Sequence, residues 1–345
     1  MEIDFVLPWV DDTDPEWLAE KQRYLPKQTA DADAAGITRY QDLGTLRYVL
    51  RGIAKNCLWY RHIVLITAGH LPPWLNINHP KIKIITHRQL FLNTAHLPTF
   101  NSSAIEMNLV NLPDDVSEHF VYLNDDTMCL RPISPERFFQ HGLPVDFIHH
   151  GWLKRNRLFT LLRGSSTWVA SLNNAVELIN QHHTIGTLKQ EHLFAKSYPL
   201  TAKISNALLY FFYKRYFWFA HWHLPQAHTK TTLQQVYQHC GKAMCISSAN
   251  RFRADNDLTA YLYRYWHLAS GQFIPQWHND GFVRNIATLT QLQKAADYLQ
   301  QHPKIHFACL NDAFKKTDLT ALTEFKTALQ HVLEKWLPEK APFEY

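Results

Sequence analysis

Residues 119–132 read HFVYLNDDTMCLRP, an apolar run from Phe120 to Leu123 that ends in Asn124, Asp125 and Asp126. Adjacent carboxylates at a strand end project oxygen ligands into a cleft. That suits Mg²⁺ or Mn²⁺, which prefer carboxylates and usually hold substrate phosphates as well. The plainer reading of the same acids is a turn or a helix cap. Four other stretches carry groups of similar use. In PWVDDTDP (8–15), Asp11 and Asp12 follow a second apolar run. Asp14 stands where it caps a helix or, functionally, where a nucleotide phosphate meets that helix's N-terminus. In LPTFNSSAIE (97–106), Asn101, Ser102 and Ser103 open a helix whose free N–H groups suit an anion. Ser103 and Glu106 make an S-x-x-E capping box, which accounts for Glu106 without catalysis. HWHLPQAH (221–228) sets His221 and His223 on one strand face, as a zinc site would, with His228 the only further ligand of clear spacing. General base catalysis is the other functional reading. NRFRADND (250–257) places Arg251 and Arg253 ahead of a helix capped by Asp255 or Asp257. Arginine grips phosphate oxygens bidentately, and a solvated loop with local ion pairs is the plain alternative.

These groups act together only if the fold gathers them. IDFVLPWV (3–10) predicts a buried strand, and DPEWLAEKQRYL a helix capped by Asp14 with Pro15 in its first position. LGTLRYVLRGIAKN (43–56) sets Leu43, Leu46, Leu50, Ile53 and Ala54 on one helical face. HIVLIT (62–67) and KIKIIT (81–86) predict strands, NSSAIEMNLVNL (101–112) a helix, and HFVYL a strand. The alternation predicts an α/β fold with a mostly parallel sheet and helices on both faces. Ligands of such sheets sit at the carboxyl ends of strands, where Asp11, Asp12, Asp125 and Asp126 all fall. Residues 140–200 predict loops, short helices and a mobile flap. ISNALLYFFYKRYFWFAHWH (204–223) reads as a core helix running into a strand or as a membrane-surface element. TKTTLQQVYQHCG predicts a helix with Leu233, Val236, Tyr237 and Cys240 on one face and Gly241 as its stop. NDLTAYLYRYWHLASG predicts another, with Leu258, Tyr261, Leu262 and Tyr265 inward and Gly271 as its stop. The C-terminal third reads as mainly helical, without repeats.

The chain has 345 residues, 46% of them hydrophobic, enough for one large domain or two interleaved lobes. Charged residues make up 19% and no segment is of low complexity, which argues against global disorder. A formal charge of +5 suits anionic small substrates or an anionic membrane face. It is too weak and scattered for a nucleic-acid partner. Most of the 21 histidines are ordinary surface or core residues. Cys57, Cys129, Cys240, Cys245 and Cys309 are odd in number, widely spaced and without CxxC, and so read as reduced thiols in a cytosolic compartment. MEIDFVLPWVDD has acids where a secretion signal has basic residues, and no uncharged apolar run reaches the ~18 residues of a membrane span. P-loop, GxGxxG, GxSxG and HExxH motifs are absent, which lowers P-loop kinases, dinucleotide oxidoreductases and serine hydrolases.

Taken together, these pieces resemble the Stealth family of sugar-phosphate transferases. The family includes bacterial capsule polymerases and the animal GlcNAc-1-phosphotransferase that tags lysosomal enzymes. Four blocks carry the resemblance, in the family's order. The first is IDFVLPWVDDTDPEW (3–17). The second and most specific runs from RYQDLGTLRYVLRGIAKN and on to KIKIITH (39–87), through LPTFNSSAIEMNL (97–109), to EHFVYLNDD (118–126). The third is HWHLPQAHTKTTLQQVY (221–237), and the fourth NRFRADNDLTAYLYRYWHLASG (250–271), followed by CLND (309–312).

The resemblance implies a single catalytic domain. It would comprise a GT-A-like, Rossmann-like nucleotide-sugar core over 1–135, an insert or flap over 136–215, and a mainly helical part over 216–345 that completes the active site. It also implies roles. Asp125 and Asp126, with Asn124 beside them, match the family's NDD and become ligands of Mg²⁺ or Mn²⁺ or of a pyrophosphate, and catalytic acids. Asp14 matches the acid of the first block, with Asp11 near it. Arg47 and Arg51 match the basic residues of LRYxLR, and Asn101, Ser102 and Glu106 match FxSxAIE. His223 is the implied general base, Arg253 the phosphate clamp, and Asp312 a further substrate contact. The chain departs from the family pattern at Asp12, where a glycine is usual, at Gly52, where the pattern reads LRS, and near Lys230, where an arginine is common. These departures bear on substrate detail.

The implied reaction moves a hexose- or N-acetylhexosamine-1-phosphate from a UDP-sugar to a hydroxyl of a growing capsular glycan, and UMP leaves. Such a reaction needs charge neutralisation and alignment more than covalent help. The rival enzyme reading is a metal-dependent glycosyltransferase of GT-A type that releases UDP. The non-enzyme rival is a carbohydrate-binding protein with a degenerate cleft, against which the intact acids of the first two blocks count. The resemblance, the missing signal and the mild basic charge together imply a cytoplasmic protein. It would be peripheral at the inner face of the bacterial cytoplasmic membrane, beside a capsule export complex.

Overall fold

The computed structural model describes residues 1–25, 43–151, 166–312 and 319–345. Strand β1 (Ile3–Pro8) is buried along nearly its whole length. Helix α1 (Pro15–Tyr24) starts where expected, because the Asp14 side chain accepts the Trp17 N–H at 2.7 Å. Helix α2 (Leu46–Asn56) buries Leu46, Leu50 and Ile53, and strands β2 (Ile63–Thr67) and β3 (Ile82–Thr86) follow. A short helix α3 (Ser102–Met107) leads to β4 (His119–Tyr122), and a tight turn returns the chain as β5 (Thr127–Cys129). Next come β6 (Leu143–Asp146), α4 (Thr167–His182), α5 (Leu200–Leu208) and β7 (Gln226–Thr229). The rest of the chain is α6 (Lys230–Ser248), α7 (Tyr261–Ser270), β8 (Gly281–Ile286), α8 (Leu289–Gln301), β9 (Phe307–Asp312) and α9 (Leu319–Trp336).

The main sheet has the order β3-β2-β1-β4-β7, parallel except for β7, which runs antiparallel to β4 at the edge. Strand order reverses between β1 and β4, the place where open α/β sheets leave a crevice for ligands. Alternate residues of the strands serve two cores. Phe5 and Leu7 join α2, α9 and β9 through Val49, Leu50, Phe325, Leu329 and Phe307. Val6, Phe120 and Tyr122 join α3, α4, α6 and α7 through Ala104, Leu172, Val236 and Leu262. A second sheet of order β8-β9-β5 ties the C-terminal third back to the strand that follows Asp126. Gly52 sits where α2 crosses β5, and a Cβ there would lie 2.6 Å from the Cys129 carbonyl oxygen. The departure from the family pattern at this position is therefore a packing matter.

The parallel α/β core is as expected. The C-terminal part (216–345), read as mainly helical, contributes four long helices among the described residues but also β7, β8 and β9. Within 140–200 the structure has a 16-residue helix, α4, that no local pattern announced; residues 152–165, where part of the expected flap falls, lie outside the described residues. Helix α6 runs through Gly241 rather than stopping there. Met244, Ser247 and Ser248 continue the buried face started by Leu233, Val236 and Cys240, and that burial outweighs the ~1 kcal/mol cost of an internal glycine. Tyr237, expected on that face, is exposed. Gly271 does end α7, in the left-handed conformation (φ 71°) that a side chain resists.

Helix α7 is buried on every side, including its arginine. Arg264 donates to both Asp146 oxygens at 2.8 and 2.7 Å and to the Ala220 carbonyl at 2.8 Å, and His267 Nε2 meets Asp146 at 3.0 Å. Removing one partner of a buried pair strands the other charge. Asp146→Ala should therefore cost about 3–5 kcal/mol in a urea unfolding experiment. A loss under about 1 kcal/mol would show that the pair is not holding α7 against β6.

Candidate active site

A cleft of about 400 Å³ opens at the carboxyl ends of β1 and β4. Pro8, Trp9 and Val10 line it from β1, and Tyr122 through Thr127 line it from β4 and the turn after it. The opening acids sit on that turn. Thr127 N–H closes it onto the Asn124 carbonyl at 3.2 Å, and the Thr127 hydroxyl donates to Asp126 Oδ1 at 3.3 Å. Because β5 doubles back at once, Asp125 and Asp126 are held half-buried at the cleft wall rather than trailing into a loop. They are carboxylate oxygens on a fixed turn facing a cleft, which fits a divalent cation.

His223 reaches the same cleft from the loop that precedes β7. Its ring nitrogen, an Asp126 oxygen and the Cys309 sulfur all lie within 4.8 Å of one another. Cys309 is there because β9 pairs antiparallel with β5, setting it opposite Thr127. Burial first, then the Asp126 carboxylate, pushes the Cys309 thiol well above its ordinary range. His221 and His228 do not join this cluster. His221 lies 4.8 Å from Trp168 and 5.0 Å from Trp218, ring to ring. His228 is fully buried in β7 between Phe120 and Tyr263, and burial lowers its pKa to about 3. Of the His221/His223 pair, only His223 lies near a further potential donor, Cys309.

Another wall of the cleft is built from Asn101, Ser102 and Arg253. Arg253 Nη2 donates to Ser102 Oγ at 3.0 Å, and both line the cleft. Asn101 fixes their setting. Its Oδ1 accepts the Ser103 N–H at 3.1 Å, and its Nδ2 donates to Asp257 at 3.0 Å and to the Asn250 carbonyl at 3.2 Å. Asp257 also takes the Ala254 N–H at 3.0 Å, so the loop carrying Arg253 is clamped at both ends. Arg251, by contrast, bonds the carbonyls of Ala95 and Leu97. The expected Ser103–Glu106 capping box is not formed. Asn101 is the N-cap, and its side chain and carbonyl already take the N–H groups of Ser103, Ala104 and Ile105. Glu106 turns inward to accept the Ala260 N–H at 2.7 Å and the Tyr122 hydroxyl at 3.2 Å. Burial raises the Glu106 pKa, against the pull of the Ala260 N–H and Arg253. Its carboxylate thus braces the cleft floor, and the free helix N–H groups expected for an anion are mostly spoken for.

Several predicted residues lie elsewhere. Asp14 is engaged as the α1 cap. Asp11, one residue past the cleft, holds the Thr13 N–H and hydroxyl at 2.9 and 2.6 Å, while its own N–H donates to His70. Arg51 is a structural tie. It is buried and bonds Glu344 at 2.7 and 3.0 Å, Glu334 at 2.9 Å and the Leu337 carbonyl at 2.9 Å. Arg47 joins the same C-terminal anchor, 3.7 Å from Glu344 and over the Trp74 ring. Neither arginine lines the cleft. Asp312 ends β9 opposite Ile286, and its side chain lies outside the described residues. Trp168, Tyr122 and Tyr261, which also line the cleft, gave no signal in the sequence.

Comparison with known proteins follows the same residues. The profile of Stealth protein CR1, conserved region 1, matches residues 1–29, and that of CR2, conserved region 2, matches residues 39–145. A capsular polysaccharide phosphotransferase of Streptococcus pneumoniae is 30% identical over 347 residues, spanning 99% of this chain and 98% of that protein. The chain belongs to the Stealth family. An exopolysaccharide phosphotransferase of Lactiplantibacillus plantarum is 32% identical over 348 residues, covering 99% and 96% of the two chains. One from Streptomyces coelicolor is 28% identical over 346 residues, which is 99% of this chain and 52% of that protein. The Stealth CR1 and CR2 matches contain Asp11, Asp14, Arg47, Asn101 and the NDD turn. His223 and Arg253 lie beyond them and join the cleft through the fold, with Cys309 buried behind His223 and Asp126.

Proposed function

We propose that this Stealth protein transfers a sugar 1-phosphate from a UDP-sugar to a hydroxyl of a capsular or related polysaccharide, releasing UMP. The observation that carries the reading is the convergence of Asp125, Asp126, Arg253 and His223 in one cleft at the switch point of the sheet. The full-length relatives, themselves named polysaccharide phosphotransferases, support it. Phosphoryl transfer asks for charge neutralisation and alignment. Arg253, steadied by Ser102 and by the Asn101–Asp257 clamp, meets the oxygens of the phosphate being moved. His223 takes the proton of the acceptor hydroxyl as that oxygen bonds the phosphorus nearer the sugar. The bond from that phosphorus to the UMP oxygen breaks, and its electron pair leaves with UMP. A Mg²⁺ or Mn²⁺ ion held by Asp125 and Asp126 would supply neutralisation of the pyrophosphate charge. The test is a panel of UDP-sugars with Mg²⁺ and a short acceptor glycan, read by the nucleotide released. UMP names both the reaction and the donor; UDP makes the protein a conventional glycosyltransferase.

We also propose that it works at an anionic membrane surface, through α5 and the turn after it. Leu200, Ile204, Leu208 and Phe211 fall on one helical stripe, and that stripe faces solvent. Phe212 is 76% and Phe211 61% exposed, beyond any need of the core. Residues 192–254 contain eight lysines and arginines and no aspartate or glutamate, with Lys203, Lys214 and Arg215 flanking the stripe. Arg215 is shared with Glu177 at 3.5 Å. An apolar stripe with a basic rim matches a bilayer carrying anionic lipid. Of the two readings left open for 204–223, the core one holds for the inner face, where Leu209, Tyr216 and Phe219 are buried, and the membrane reading concerns the outer stripe. Phe211→Ser with Phe212→Ser should weaken sedimentation with phosphatidylglycerol vesicles by at least ~10-fold, since each ring is worth about 1.5–3 kcal/mol when buried. Equal binding to purely zwitterionic vesicles, or no loss in the double variant, contradicts the assignment.

A further inference from the structure

Three donor atoms of different chemistry meet at the edge of the cleft, Asp126 and His223 on its wall and Cys309 buried behind them: a carboxylate oxygen, an imidazole nitrogen and a sulfur, all within 4.8 Å of one another. Backbone pairing fixes the meeting. Cys309 stands opposite Thr127 in the β9–β5 pairing, beside the turn that carries Asp126. His223 descends from the loop entering β7, the antiparallel neighbour of β4. A Mg²⁺ site is built from oxygen donors and gains nothing from imidazole or sulfur. One oxygen, one nitrogen and one sulfur are instead the donors that select Zn²⁺. The thiol meets Asn311 Oδ1 at 3.0 Å, a weak hydrogen bond that a cation would readily replace.

We propose that Asp126, His223 and Cys309 form a site for a thiophilic divalent cation, Zn²⁺ foremost, whose occupancy shuts off the transfer reaction. On binding, the Cys309 S–H bond breaks, its proton goes to solvent, and the sulfur electron pair is shared with the cation. Binding stands on the three donors alone. The shut-off rests on the reaction proposed above, because the cation would engage the carboxylate and the imidazole that the reaction uses. The cleft would then discriminate hard from soft cations, active with one and silenced by the other.

The experiment uses the full-length protein with Cys245→Ser, which removes its exposed thiol, and titrates it with Co²⁺ alone, without nucleotide. A thiolate-to-cobalt charge-transfer band should appear and be displaced by Zn²⁺. Adding Cys309→Ser should abolish the band, and His223→Gln should weaken cobalt affinity at least ~10-fold. Zn²⁺ should also raise the thermal midpoint of the Cys245→Ser protein but not of the Cys245→Ser/Cys309→Ser protein. No band in the folded parent, or a band that survives Cys309→Ser, overturns the site. In turnover with Mg²⁺, Zn²⁺ should inhibit the parent and spare whatever activity Cys309→Ser retains. A Cys309-dependent band without inhibition overturns the shut-off and leaves the binding site standing.

Discussion

Asp126→Asn should lower the transfer rate by at least about a thousand-fold and leave the protein folded. The substitution removes one negative charge and almost nothing else. Asp126 is half-buried, and a carboxamide oxygen still accepts the Thr127 hydroxyl that donates to the carboxylate. What is lost is the charge that, in the proposed reaction, would attract a cation and, through it, the pyrophosphate. Stabilisation of developing charge does most of the work in such reactions. Asp125→Asn should behave alike. His223→Ala should cost about 10²–10⁴-fold, the usual worth of a positioned general base. The control is Arg51→Ala, which breaks the tie to Glu344 and Glu334. It should lower the unfolding midpoint while the folded fraction keeps its turnover. Near-normal turnover in Asp125→Asn, Asp126→Asn and His223→Ala together would sink the site assignment.

A second large effect comes from pH. Burial lowers His87 to about 4 and His150, His228 and His278 to about 3. In the unfolded chain each titrates near 6.5. Below that value the unfolded state binds protons that the native state refuses, so stability falls as pH falls. By pH 5 each histidine withdraws about 2 kcal/mol, and the four together about 8, comparable with the ~5–15 kcal/mol that holds a domain folded. Asp146 enters lower in pH. Burial would raise its pKa, but Arg264 and His267 overcome this and hold the carboxyl well below the usual range. Its contribution is therefore complete above about 4 and is lost only beneath that. Urea midpoints should be level from pH 8 to 7 and drop steeply between 6.5 and 5. His228→Leu, which replaces a neutral ring packed on Phe120 with an apolar group, should shallow that slope. A flat profile from pH 7 to 5 would show that these histidines are solvated.

The residues differ in how legible their roles were. The placement of the NDD turn was readable because it is local: an apolar strand stops, and two acids follow at the end where parallel sheets leave a cleft. Gly271 was readable for the same reason, as a left-handed cap at the end of a periodic helix. Arg51 was misplaced because a motif gives residue type and position but not partner, and its partner Glu344 lies 293 residues away. Glu106 satisfied a local capping rule, yet its oxygens were claimed by Ala260, 154 residues on. Cys309 stood in plain view within CLND, but its nearness to Asp126 depends on β9 pairing antiparallel with β5. Such a non-local strand pairing leaves no periodic trace. The segment after α5 shows the converse: its aromatic density was plain, and only the fold could say that Phe211 and Phe212 face outward while Tyr216 and Phe219 face the core.

The central claim is that the sugar carries its own phosphate to the acceptor. It is tested most directly by supplying a UDP-sugar isotopically labelled at the phosphorus nearer the sugar, with a short acceptor glycan, and locating the label afterwards. Sugar-phosphate transfer predicts the label in the glycan, in a phosphodiester between sugar and acceptor, with none in the released nucleotide. Label recovered in UDP, beside an unphosphorylated glycosidic product, would contradict it.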